Sequence, residues 1–117
     1  MKPSALLDPA TDGFCPLMDH AAPVVHGILS QAVLTAPGLR VTRFSFAQGQ
    51  ELSEHTSPAR VLVQILAGHC AFTVGGRTHL LRPGDLLHVP PRLPHALRAV
   101  TDLTVIVTQA TPPPVAG

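Results

Sequence analysis

The stretch Val61-Leu62-Val63-Gln64-Ile65-Leu66-Ala67-Gly68-His69-Cys70-Ala71-Phe72-Thr73-Val74-Gly75-Gly76-Arg77-Thr78-His79-Leu80-Leu81 decides the fold class. Its apolar residues alternate with a period of two, the spacing that sends successive side chains to opposite faces of a strand. Two dipeptides interrupt it, Ala67-Gly68 and Gly75-Gly76. The second suits a type I′ turn, in which both central residues need positive φ. Read as consecutive hairpins, the stretch sets Val63 opposite Phe72 and Val61 opposite Val74 across the first turn. Across the second it sets Val74 opposite Arg77 and Phe72 opposite His79. Residues directly opposite share a face. One face therefore collects Val61, Val63, Ile65, Cys70, Phe72, Val74, Arg77, His79 and Leu81, and is expected to line the interior. The other carries Leu62, Leu66, Ala71 and Leu80. That much apolar surface predicts a cover, and a second copy of the chain is the expected one.

Working outward, similar short runs of Val, Leu, Ile, Phe and Thr recur from Val24 to Ala110, separated by Gly and Pro. That rhythm predicts an all-β sandwich or small barrel over residues 24–110. Residues 1–23 hold Pro3, Pro9, Pro16, Pro23 and Gly13 with no sustained period, and are expected to form an arm draped over the barrel. Residues 111–117, with Pro112-Pro113-Pro114, are expected to be a flexible extended tail.

Composition narrows the function classes. The 117 residues include eight basic and seven acidic side chains, for a formal net charge of +1. With 45% apolar residues and 13% charged ones, the chain has material for one core and too little charge for disorder. The arginines are scattered and Phe is the only aromatic, so there is no basic, aromatic surface on which nucleotides could stack. Nucleic acid is not an expected partner. No apolar run approaches the roughly 20 residues of a membrane span, and the first residues lack the apolar core of a secretory signal. A cytoplasmic protein without membrane partners is expected. Cys15 and Cys70 are too far apart for a CxxC pair and read as buried thiols of a reducing compartment.

Two spacings carry a family resemblance. Gly49, His55, Ser57, Val61 and Gly68 stand at the positions of the pattern G-x5-H-x-H-x3-E-x6-G, and Gly84, Pro90, Arg92, His95 and Ala99 at those of G-x5-P-x-G-x2-H-x3-N. Both patterns in order, separated by a short hairpin, resemble the small single-domain bacterial cupins of the RmlC-like conserved-barrel type. The resemblance covers residues 41–108. It implies a double-stranded β-helix, or jelly roll, commonly dimeric, whose interior often holds a divalent metal on three histidines and a glutamate.

The departures from the pattern bear directly on function. His55 and His95 occupy the first and last ligand positions, but Ser57 stands at the second histidine and Val61 at the glutamate. Arg92 replaces the motif glycine and Ala99 the asparagine. A stable site needs at least three protein donors. The inward face supplies one further candidate, His79; its other reading is a core or rim histidine bonded to a carbonyl. His69 counts to the opposite face and His88 to the outside, and Glu51 and Glu54 read as solvated loop charges. With Ser57, Val61, Val63 and Phe72 around the histidines, the expected pocket is apolar with a few polar anchors.

Two readings of function follow. In the first the barrel binds a small, largely apolar molecule on His55, Ser57 and His95, with metal weak or absent and no catalytic residue. In the second the resemblance implies a metal enzyme of the dioxygenase, isomerase or decarboxylase kind, with Zn, Fe, Ni or Mn on His55, His95 and His79.

Overall fold

In the computed structural model, residues 5–18 and 25–112 are described. Of residues 1–23, where the arm is expected, 5–18 are described, and the rest, like 113–117 of the expected tail, lies outside the described residues. Among the described residues there are nine strands and no helix: β1 (Ile28–Ala36), β2 (Leu39–Phe46), β3 (Glu51–His55), β4 (Arg60–Ala67), β5 (Cys70–Val74), β6 (Arg77–Leu81), β7 (Leu86–Val89), β8 (His95–Ala99) and β9 (Leu103–Ala110). They form a five-stranded sheet, β1-β2-β9-β4-β7, and a four-stranded sheet, β3-β8-β5-β6, antiparallel throughout. The fold is an all-β jelly roll. No helix of the described residues is long and apolar enough to cross a membrane.

The second expected hairpin is present. Gly75 and Gly76 have φ of 55° and 82°, and Val74 pairs with Arg77 and Phe72 with His79. The first is not a hairpin. β4 is hydrogen-bonded to β7 and β9, whereas β5 is bonded to β6 and β8, so the chain crosses from one sheet to the other at Ala67-Gly68-His69. Backbone packs on backbone there, since a Cβ on Gly68 would lie 1.9 Å from the Asp102 carbonyl oxygen. Alternation fixes which side of a strand is apolar and leaves its neighbour open. Val61, Val63, Ile65, Cys70, Phe72, Val74 and Leu81 are accordingly all buried, but β4 and β5 face each other across the core and do not pair. On the outer surface Leu62 and Leu80 are exposed.

The arm runs beside β1. Leu6 and Leu7 donate backbone hydrogen bonds to the carbonyls of Ala32 and Val33, which occupies an otherwise open sheet edge. Further along, the Leu17 carbonyl accepts a 2.7 Å hydrogen bond from the buried guanidinium of Arg43.

Candidate functional site

The site is set by a strand irregularity. Leu52 of β3 pairs with Leu97 of β8 and His55 with His95, so three steps along β3 match two along β8. The extra residue of this bulge puts both Leu52, half-buried, and His55, exposed at the rim, on the cavity side, where plain alternation would send one of them to the other face. His55 and His95 then meet edge to face, with ring centroids 4.2 Å apart and planes at 60°. Phe72 lies parallel to His95, 6.1 Å away.

Both imidazoles are oriented by backbone. His55 Nδ1 lies 3.0 Å from the Ser53 carbonyl oxygen and His95 Nδ1 2.9 Å from that of Leu93. A carbonyl only accepts, so each Nδ1 carries the proton and donates it, leaving the lone pair of a neutral ring on Nε2. Among the described residues His95 Nε2 has no hydrogen-bond partner, and since none of their buried side-chain nitrogens or oxygens lacks one, Nε2 itself is not buried. It therefore opens onto free space, and the space its ring borders is a cavity of about 350 Å³ between the two sheets.

Most of the cavity wall is apolar, with Phe44, Leu52, Val61, Val63, Phe72 and Val105 among its residues. Its polar groups are the two histidines, Thr56, Ser57 and Gln109. Ser57 is in the loop that follows β3. Its hydroxyl accepts from Ala59 N and its carbonyl from Arg92 N, which holds the loop over the cavity. Gln109 was missed by motif reading because it belongs to no motif. The signal lay in β9, where Leu103, Val105, Val107 and Gln109 alternate inward, and Gln109 pairs directly with Val61. A neutral amide thus stands beside the aliphatic residue that holds the motif's glutamate position.

The structure does not bring His79 to the pair. It sits on β6, the far edge of its sheet, opposite Phe72, while His95 is on β8 on the other side of β5. Two strand spacings, about 10 Å, separate those backbones, and His79 is absent from the cavity wall. Among the described residues no group of three His, Cys, Asp or Glu could hold a metal ion. Glu51 and Glu54 lie in β3 rather than in a loop, and both are exposed, Glu51 lying 3.7 Å from Arg98. His69 is exposed, and exposed His88 accepts at Nε2 from Arg60. Burial, with Asp85 nearby, pushes the Cys70 thiol up to about 11, which keeps it protonated and poorly nucleophilic.

Comparison with known proteins agrees with this architecture. A family model described as "Cupin domain" matches residues 42–109. A conserved Streptococcus pyogenes protein of unknown function has a structure similar to 96% of this chain and 98% of its own, at 26% identity and a TM-score of 0.82. An RmlC-like cupin from Desulfovibrio desulfuricans matches at 26% identity over 86% of this chain and 97% of its own, with a TM-score of 0.77. A mutant of salicylate 1,2-dioxygenase from Pseudoaminobacter salicylatoxidans shares the fold at 22% identity and a TM-score of 0.68; the match spans 72% of this chain and 26% of that one. A search of curated proteins finds no match.

Proposed function

The chain belongs to the cupin domain family, and from that premise we propose that it binds a small, largely apolar molecule in the barrel cavity, with His55 and His95 as polar anchors. The observation that carries this reading is the pair of imidazoles held by backbone carbonyls at the edge of an apolar cavity. Apolar walls with a few fixed polar groups are the usual make-up of a small-molecule site. The volume, about 350 Å³, equals that of about a dozen liquid water molecules at ~30 Å³ each. It suits a single ring or a short chain. Desolvating such a body supplies affinity, and the Nε2 lone pairs select for a hydroxyl or amine hydrogen placed between them.

The described residues do not fit a resident divalent ion. Each imidazole has the carbonyl support typical of a metal ligand, but Val61 offers no donor and His79 is elsewhere, so among the described residues two strong donors stand where three are needed. A homodimer joined through the outer face of the five-stranded sheet, where Leu62 and Leu86 are exposed, is part of the same proposal. Sedimentation at micromolar protein tests it, with a 12 kDa species alone counting against it.

Titrating a labelled sample with benzyl alcohol, phenol and cyclohexanol, with NMR detection, tests the cavity reading. Shifts concentrated at His55, Phe72 and His95, weakened by His95→Ala, are expected. Shifts spread over the outer surface, or an affinity indifferent to His95, would overturn it.

A further inference from the structure

The cavity does not end at the histidines. A second, more open compartment of about 660 Å³ adjoins it, and the two share Ser57, Pro58 and Gln109 as boundary. Among the described residues lining the outer compartment one side chain is formally charged, the exposed Arg40. Strand register explains its position. Arg40 pairs with Gln109 and Gln109 with Val61, so these residues form one cross-strand row whose side chains project from the same face. Val61 is in the cavity wall, which fixes that face as the inner one, and Arg40 therefore stands at the mouth of the barrel. Among the described residues its guanidinium has no hydrogen-bond or ion-pair partner. Among the described residues no Asp or Glu lines either compartment.

We infer that Arg40 makes the outer compartment an anion subsite and that the ligand is a small carboxylic acid whose apolar body enters the inner cavity. The planar guanidinium matches a carboxylate with parallel N–H donors. The Gln109 amide beside it adds a neutral donor at the boundary. An acid oriented in this way points its far end at His55 and His95, so a hydroxyl there would donate to the free Nε2 atoms. One molecule would thus be read at both ends, by charge at the mouth and by hydrogen bonding inside. This inference rests on the cavity reading above.

Matched probes separate the two. Hexanoate and 3-hydroxybenzoate, their primary amides and benzyl alcohol are titrated against wild type and Arg40→Met by calorimetry or NMR. Each acid is expected to bind about two- to fivefold more tightly than its amide in wild type, the size expected of a solvent-exposed ion pair. In Arg40→Met the preference should vanish, and in wild type it should shrink as salt rises. If amides bind as well as acids while benzyl alcohol still enters, the anion subsite is wrong and the cavity reading stands. If no probe binds, both fail. An acid preference that survives Arg40→Met also overturns the assignment, because the charge would then be recognised elsewhere.

Discussion

The two ends of the barrel are built by the same strands and have opposite characters. At the closed end Ile65, Cys70, Ala99 and Leu103 are no more than 2% exposed and fill the space between the sheets. At the open end the same strands carry on to Val61, His95 and Gln109, and the space stays empty. Along β9 the inward series runs Leu103, Val105, Val107, Gln109, from sealed to half-buried. Alternation is identical at both ends, so it is the volume and polarity of successive inward side chains that make one end a core and the other a site. Stability should therefore be concentrated at one end and recognition at the other.

Truncating matched positions on β9 would break that division most directly. Leu103→Ala should cost about 3–4 kcal/mol, because a sealed site cannot collapse around the lost side chain. Val107→Ala borders a void that already exists and should cost only about 1 kcal/mol. Equal losses in urea denaturation would show that the open end is packed as a core.

A second substitution asks whether the open end can be returned to the pattern from which it departs. Val61→Glu places a carboxylate in the apolar wall and should destabilise the metal-free protein by about 3 kcal/mol, less if the carboxyl takes up a proton. It also supplies the missing third donor beside His55 and His95. Millimolar Zn²⁺ or Ni²⁺ should then raise the Tm of the variant well above any change in wild type. The same Tm response in both proteins would show that the wild-type histidines already hold an ion without help.

How much of this was legible in the sequence divides along the same line. The β3 to β8 residues that carry the two motifs could be placed by counting, because His55 and His95 stand at fixed distances from Gly49 and Gly84. Inward faces were legible too, since a period of two is a local property of the chain. Pairing was not. Nothing in Ala67-Gly68 distinguishes a hairpin from a crossing between sheets; that depends on β9, some forty residues later, bonding to β4. The same non-local term misplaced His79, whose face was right to count from Phe72 but whose strand lies at the far edge. It also hid Gln109 and Arg40, which become neighbours of Val61 only through the β2-β9-β4 register.

At the closed end, Cys70 gives a pH test. Its thiol is raised from 9.0 to about 11 by burial and by Asp85. Below pH 9 the folded and unfolded chains both keep the proton and stability is unaffected. Above pH 9 the unfolded chain loses it first, so stability falls as pH rises and levels off beyond about 11. Two pKa units correspond to about 2–3 kcal/mol. Cys70→Ala should remove that alkaline slope, measured between pH 8 and 10.5 by urea denaturation, whatever it does to stability at pH 8. An unchanged slope would place the titrating group elsewhere.

The smallest effect belongs to the loop over the open end. Arg92 has a φ of 66°, the one positive value outside glycine among the described residues, at the position where the motif has glycine. Its N–H donates to the Ser57 carbonyl at 2.8 Å, which ties the loop before β8 to the loop after β3. An L-residue in this conformation costs roughly 1–2 kcal/mol, while glycine would remove that strain and add roughly 0.5–1 kcal/mol of entropy lost on folding. Arg92→Gly should therefore change stability by no more than about 1.5 kcal/mol, in the stabilising direction. Arg92→Val, β-branched and far less tolerant of positive φ, should lose about 1–2 kcal/mol and loosen Ser57 with it. Because Ser57 lines both compartments, the valine variant should also weaken probe binding, whereas Leu103→Ala, far more destabilising, should leave binding by the remaining folded protein intact. Binding that tracks overall stability across these variants would show that the two ends of the barrel are not separable.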